Sequence, residues 1–398
     1  MSFNAPKLKA HFGYGKFKSP PYRILFLTYD FFLQDSLINE LKRRGHEVVG
    51  LPFPKDISVE EALRTLLKKA AEVRPDAILT LNAMGLDNHG HAISVLSDLS
   101  LPVIIWYLDN HLFTGPYFKE RSPDWAIAFT YERSLEGSLR EAGFQHVFYL
   151  PLATDLSLTR TGSDAPFRFL QDKVTYVGAT FSTAVNEFHT PEFEQTYRSW
   201  CPDFGAQKQK HGRIDLDALF APHRDRFPSM EDFYRFMAYV IACETRRYRA
   251  DRLSGLVDES LMVFGPAEWK DYLPEQVVRP PVDYQTETPF VYRNSAVNLS
   301  LTALQQETAL NQRYYDVPLC GGFLLGEWQE SLAENFTLEE EVVYFRNDEE
   351  LKDKVRYYLK HPAERQRTVR QARERILHEH LMEHRVTTML DLIRKICA

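Results

Sequence analysis

The sequence predicts an α/β protein with a doubly wound domain in its first half and a second run of strand and helix alternation in its second half. Three observations carry this. The chain has 398 residues, which suggests about two or three domains at roughly 100–200 residues each. Short apolar runs of strand length alternate with amphipathic stretches of helix length, the pattern of parallel βαβ units. The alternation occurs twice, over 23–155 and again from Val174, and in the second half a long charged helical stretch at 186–256 interrupts it.

Taken in order, residues 1–22 carry Lys7, Lys9, Lys16 and Lys18 with Gly13, Gly15, Pro20 and Pro21, and read as a flexible basic arm. Strands come next at Ile24–Leu27, His46–Leu51, Asp76–Leu81, Val103–Leu108, Trp125–Phe129 and His146–Leu150. Between them lie helices at Asp35–Arg44, which Gly45 is placed to stop, and at Val59–Val73, His91–Ser97 and Ser134–Ala142. This first domain is assigned to 23–155 and a second to 156–370. The second opens with Val174–Gly178, and its longest periodic helix runs from Phe233 to Arg252. Further strands are expected at Leu261–Phe264, Val277–Val278, Ala296–Leu301, Phe323–Leu325 and Val342–Phe345. Helices near 348–360 and 363–393 close the chain, and its last part, 371–398, is expected to pack back across the domain junction.

Composition excludes several classes. Hydrophobic residues make up 44% and charged residues 26%, so a mostly disordered chain is ruled out. With 48 Lys+Arg against 55 Asp+Glu, the net charge of −7 argues against nucleic acid as a partner. No apolar run reaches the roughly 18–20 residues of a transmembrane span, and no secretory signal is visible. The four cysteines, Cys201, Cys243, Cys320 and Cys397, form no CxxC pair. A disulfide framework or structural zinc site is not expected, and a cytoplasmic location fits.

In open α/β sheets the ligand lies beyond the carboxyl ends of the strands, and three such places stand out. Gly178-Ala179-Thr180 is a small-residue turn that would bring backbone amides close to an anion such as a diphosphate. An ordinary tight turn is the other reading, since neither GxxxxGK[ST] nor GxGxxG is present. At Asn311-Gln312-Arg313 a helix start would favour anionic groups, Arg313 would add charge to a phosphate clamp, and Asp316 would accept from sugar hydroxyls. A surface helix ending at Gly321-Gly322 is the alternative. After the fourth strand, Asp109 and His111 are placed for acid/base work or for holding hydroxyls, or else form a satisfied surface pair. Asn82, Asp87, His89 and His91 come after the preceding strand on the same sheet edge. Arg246, Arg247, Arg249 and Arg252 read as a solvated helix face with buried stems, with phosphate binding as the other possibility.

The C-terminal third also carries a resemblance. Arg313-Tyr314-Tyr315-Asp316 through Gly321-Gly322-Phe323-Leu324-Leu325 resembles the block R-x-F-E-A-x-A-C-G-A-F-L of group 1 glycosyltransferases. Glu339–Phe345, Asn347–Leu351, His361-Pro362 and the His378, His380, His384, Arg385 set are similar to the segments C-terminal to that block in the family. Trp106–Asp109, the interdomain Leu150–Asp155, Trp269 and Pro281-Val282-Asp283-Tyr284 fit the CgeB-like branch.

The resemblance implies a GT-B architecture, with two Rossmann-like domains facing across a cleft and a helical insertion in the second. It implies a nucleotide diphosphate sugar as donor on the C-terminal domain and an acceptor that stays unnamed; no DxD-type run lies at a suitable strand end, so neither metal nor cofactor is expected. Under it, the turn Gly178, Ala179, Thr180 would face the diphosphate, with Asn311, Gln312 and Arg313. Gly265 and Val282-Asp283-Tyr284 would lie near the base. Asp316 stands where the family has a Glu that contacts the donor ribose. Asp109 and His111 would face the sugar as catalytic groups, with Asn82, His89 and His91 on the acceptor side. Two departures are visible: Thr308, beside Glu307, occupies the family's other Glu position, and residues 179–187 lack the usual Arg and Lys. Arg313 or Arg279 would then neutralise the diphosphate. The activity expected is sugar transfer; the alternatives are a catalytically silent GT-B scaffold in maturation or assembly, and a sugar-nucleotide epimerase.

Overall fold

The computed structural model describes residues 5–29, 31–53, 57–113, 124–159 and 162–397. Two compact units emerge. One comprises the residues up to Pro151 together with those from Met382 onward; the other is Leu152–Leu381.

The first unit is built on a six-stranded parallel sheet of order β2-β1-β3-β4-β5-β6. Its strands are β1 (Arg23–Thr28), β2 (Glu47–Pro52), β3 (Ala77–Leu81), β4 (Val103–Tyr107), β5 (Ala126–Thr130) and β6 (His146–Tyr149). The central strands β3, β4 and β5 are buried along their whole length. Their near-continuous runs of Ile, Val, Leu and Ala suit a sheet covered by helices on both faces.

The second unit carries a six-stranded sheet of order β12-β11-β10-β7-β8-β9. Its strands are β7 (Val174–Val177), β8 (Leu261–Phe264), β9 (Val278–Arg279), β10 (Val297–Ser300), β11 (Leu324–Glu327) and β12 (Val343–Phe345), again all parallel. The stretch expected to be helical holds helices Ser182–Phe188, Pro191–Trp200, Phe204–His211, Leu216–Phe220 and Met230–Ser254. Local chemistry starts them. Thr190, Asp203, Asp215 and Ser229 each accept the backbone N–H three residues on, which satisfies an orphan amide of the first turn.

Two sequence expectations are corrected. Of the expected flexible arm, residues 1–4 lie outside the described residues. The remainder is folded: Ala5–Phe12 is a helix, and Phe12 and Phe17 are buried at 0% and 1% exposure. The Tyr14 hydroxyl donates to the Pro75 carbonyl at 2.6 Å, and the Phe17 amide donates to Asp76 at 2.9 Å. Lys16, counted as part of the basic arm, is itself buried, and desolvation brings its pKa down to about 8. The two phenylalanines, spaced among the lysines, supply the apolar anchors that the charge pattern concealed.

The long closing helix is in fact two, Pro362–Glu379 and Met382–Cys397. At the break the His380 carbonyl accepts the Thr154 amide at 3.0 Å, and Leu381 forms a parallel bridge with Thr154. These backbone groups are drawn out of the helical ladder into a strand-like contact. The last helix then belongs to the first unit. Its residues Val386, Met389 and Ile393 are fully buried. Arg43 pairs with Glu383 at 2.8 Å, and Arg44 donates to the Glu383 carbonyl and to Thr387.

Ile393→Ala should therefore weaken the first unit by about 2–5 kcal/mol, the usual cost of emptying a core site. Urea unfolding followed by probes in each unit should show the early transition in residues 5–151, with Leu152–Leu381 unaffected.

Candidate functional site

In the second sheet the strand order reverses between β7 and β10, the position at which open α/β sheets hold ligands. Gly178 directly succeeds β7 there. Its amide is spent on the Phe264 carbonyl at 3.0 Å, and its carbonyl accepts the Trp269 indole N–H at 2.8 Å. A Cβ at Gly178 would lie 2.7 Å from Arg313 Nη2 and 2.7 Å from Tyr176 Oη. A Cβ at Gly265, after β8, would run into the Gly178 carbonyl oxygen. Only glycine allows either strand end to come this close.

Arg313 reaches the same spot from the helix Arg313–Leu319, donating from Nε to the Val177 carbonyl at 2.9 Å and from Nη2 to the same oxygen. Its guanidinium carbon sits 5.2 Å from the centre of the Tyr176 ring. The structure thus brings Gly178 and Arg313 together, as the sequence reading required. Among the described residues Arg313 Nη1 and the amides of Ala179 and Thr180 donate to no protein group. Arg279, the other arginine considered for the diphosphate, turns instead to the Gln276 and Val278 carbonyls.

Several buried polar atoms around this sheet end have no partner among the described residues: Tyr176 Oη, Thr302 Oγ1, Asn311 Nδ2, Gln312 Oε1, Gln329 Oε1 and Arg249 Nε. Buried polar groups are nearly always hydrogen-bonded, so such a cluster marks a place where a polar ligand or solvent completes the network.

Other assigned residues do different work. Asp316 is 1% exposed, and both its oxygens are occupied. Oδ1 accepts from the Thr154 hydroxyl at 2.6 Å and the Gln312 amide at 2.8 Å; Oδ2 accepts from the Tyr284 hydroxyl at 2.8 Å. Burial raises its pKa to about 6 against these three donors. The expected ribose contact is therefore replaced by a structural one: Asp316 ties the Thr154 segment to the loop carrying Tyr284. Asp283 is likewise local. Its side chain accepts from the Gln285 and Thr286 amides, and its carbonyl accepts from Thr288, which leads into the helix Thr288–Asn294. Val282 packs against the small apolar cluster of Leu170, Phe264 and Val291. Asn311 Oδ1 accepts from Ser300 and from the Arg313 amide, holding the start of a helix of only seven residues. No helix-end anion site is built there.

Sequence reasoning missed Glu327, at the end of β11. It is 2% exposed and accepts from the Tyr248 hydroxyl and from the Thr302 amide at 3.0 Å, with Lys208 at 3.5 Å. Burial opposes its ionisation, but Lys208, Arg252 and the two donors outweigh that and hold its pKa below the usual range. No strand motif announces it, because three of these partners, Tyr248, Lys208 and Arg252, come from the helical insertion.

In the first unit, Asn82 sits at its own sheet's switch point, with φ 50°. Its Oδ1 accepts from the Leu108 and Asp109 amides, and its Nδ2 donates to Asp109 at 2.9 Å. The strand ends of β3 and β4 are therefore joined through Asn82 and Asp109. His111 does not fit its assigned role. It is 1% exposed, neither ring nitrogen has a partner among the described residues, and desolvation brings its pKa down to about 3. It is a neutral core residue beside Tyr107. His89 and His91 keep exposed side chains, while their amides are held by Asp87 at 3.0 Å each, which starts the helix His91–Asp98.

A family described as glycosyl transferase-like matches residues 244–391. Comparison with curated protein sequences finds no match. Among solved structures the chain is similar to sucrose-phosphate synthase from Thermosynechococcus elongatus, at 12% identity, 94% of this chain, 99% of that chain and TM-score 0.53. It is also similar to AviGT4, a glycosyltransferase involved in avilamycin A biosynthesis, at 13% identity, 95% and 98% coverage and TM-score 0.51. A third is Anabaena Alr3699/HepE in complex with UDP-glucose, at 10% identity, 94% and 98% coverage and TM-score 0.50. These likenesses and the two parallel sheets define the class: a two-domain α/β protein of GT-B type. Its second unit carries most of the glycosyl transferase-like region.

The packing leads to two expected outcomes. Gly265→Ala should cost about 1–3 kcal/mol, since the collision is with backbone, and guanidinium titration of the purified variant measures it. Asp316 is protonated in the fold at a pH where the unfolded chain has already lost the proton. Wild-type stability from this group is therefore greatest below pH 4 and falls by up to about 3 kcal/mol as pH rises past 6. Asp316→Asn should flatten that slope in melting temperatures recorded from pH 4 to 7.

Proposed function

We propose that this chain is a glycosyltransferase of the CgeB-like branch of group 1. It would move a sugar from a nucleotide diphosphate sugar to an acceptor hydroxyl, without a metal or cofactor. The observation that carries the reading is the meeting of the Gly178 turn with Arg313 at the β7/β10 switch point, ringed by buried polar atoms without partners. The match of residues 244–391 to a glycosyl transferase-like family supports it, as does a neighbour of the same fold that holds UDP-glucose.

In transfer, the bond from the sugar's anomeric carbon to the β-phosphate oxygen breaks and its electron pair stays on that oxygen. The acceptor oxygen bonds to the carbon and gives up its proton. Arg313 and the amides of Ala179 and Thr180 would stabilise the leaving charge, as preorganised donors do. Asn311 and Gln312 would orient the donor, and Gly265 and Tyr284 would border its base. In the first unit Asp109, held by Asn82, is the remaining candidate for the acceptor proton or for positioning the sugar hydroxyls, and His89 and His91 keep exposed side chains for the acceptor side. The four free cysteines fit a reducing cytoplasm. A silent scaffold is the second reading, favoured by the commitment of Asp316 and the sealing of His111.

The test is thermal unfolding with UDP, GDP and their sugars. A ligand at 100 times its Kd adds about 2.7 kcal/mol, so one nucleotide series should raise the melting temperature by several degrees. Arg313→Ala should remove most of that rise. If no nucleotide stabilises the wild type at millimolar concentration, the scaffold reading replaces this one.

A further inference from the structure

The helix Met230–Ser254 carries arginines with different fates. Arg247 sits on the surface and pairs with Glu244 at 2.7 Å. Arg252 is buried but has Asp348 at 3.3 Å and lies over the Tyr248 ring at 3.6 Å. Arg249 is also buried, at 5% exposure, yet among the described residues no carboxylate lies within 4 Å of it. Nη2 donates to the Leu301 carbonyl, just beyond the carboxyl end of β10, at 3.1 Å, and Nε is sealed without a partner.

Its surroundings point to the same sheet end as Arg313. The Arg249 guanidinium carbon is 4.8 Å from the centre of the Phe181 ring, the residue directly after the Gly178–Thr180 turn, and 5.9 Å from the centre of the Tyr176 ring. Arg313 approaches that same Tyr176 ring at 5.2 Å. Burial lowers the Arg249 guanidinium below the usual arginine range, with the nearby Arg313 charge adding to it and Tyr176 and Glu327 opposing it only in part. A buried charge held by no ion pair is costly to the fold, and the Glu327 carboxylate acts on Arg249 only from beyond ion-pair distance. Two aromatic faces and one carbonyl offset part of that, and a second cation beside it adds to the cost.

We propose that Arg249 is the second cation of a diphosphate seat whose first is Arg313, and that the pair makes the site prefer nucleoside diphosphates over monophosphates. This rests on the donor-site reading above and adds a residue from the helical insertion to it. The basic partner absent from residues 179–187 comes from a helix some seventy positions further along the chain.

Calorimetric titration of the full chain with UDP, UMP, GDP and GMP tests it. In the wild type one diphosphate should bind at least about 10-fold more tightly than its monophosphate, the worth of one charge-assisted hydrogen bond. Arg249→Gln should shrink that ratio by about 10-fold, with monophosphate affinity changed by less than about 3-fold, and Arg249→Lys should restore part of the ratio. Arg249→Met, which replaces the unpaired cation with an apolar chain of similar reach, should melt no lower than wild type without nucleotide. An unchanged diphosphate-to-monophosphate ratio in Arg249→Gln overturns the proposal. So does a lower melting temperature of Arg249→Met with an unchanged ratio, which would make Arg249 structural. Wild type that binds none of the four nucleotides overturns the donor-site reading and this inference together.

Discussion

The second unit depends on how closely β7 and β8 end beside each other. The Gly178 carbonyl lies where any side chain at Gly265 would have to stand, and the Trp269 indole fixes that carbonyl from the other side. With this corner held, the Val177 carbonyl can anchor Arg313, and the Tyr176 ring can stand between two guanidiniums and Trp269. The corner is thus held by protein contacts alone, and preorganised donors gain most when they need no rearrangement.

The strand pattern of both sheets was legible because each strand is a short apolar run flanked by turn-forming residues. The second-sheet strands differ from their expected positions by a residue or two at their ends. The Gly178 and Arg313 pair was also legible, since a small-residue turn after a strand and an arginine opening a helix are each local signals. The hidden features were non-local. Asp316 looked like a sugar ligand because its partners Thr154 and Tyr284 are 162 and 32 residues away in the chain. His111 looked like a base because nothing in Asp109-Asn110-His111 shows that the ring turns inward against Tyr107. The basic arm misled for a related reason: charge patterning describes the exposed side of a segment and is silent about the two rings that anchor it.

The helical insertion also changes meaning. Its arginines read as a solvated face, and Arg246 and Arg247 are consistent with that. Arg249 and Arg252 turn inward because the helix lies along the second unit with most of its length buried. A periodic helix whose apolar stripe is wide leaves no purely polar side, so charged positions fall at the boundary and their long stems decide the outcome.

The assignment of Met382–Cys397 to the first unit has a consequence for biosynthesis. Val386, Met389 and Ile393 complete a core whose other parts were translated hundreds of residues earlier. Until they leave the ribosome, the nascent first unit must wait with an open apolar face, while the entire second unit is made and can fold as a unit ahead of it. Chaperone engagement during synthesis would thus be expected to concentrate on the amino-terminal sheet and to end only when the last helix is released.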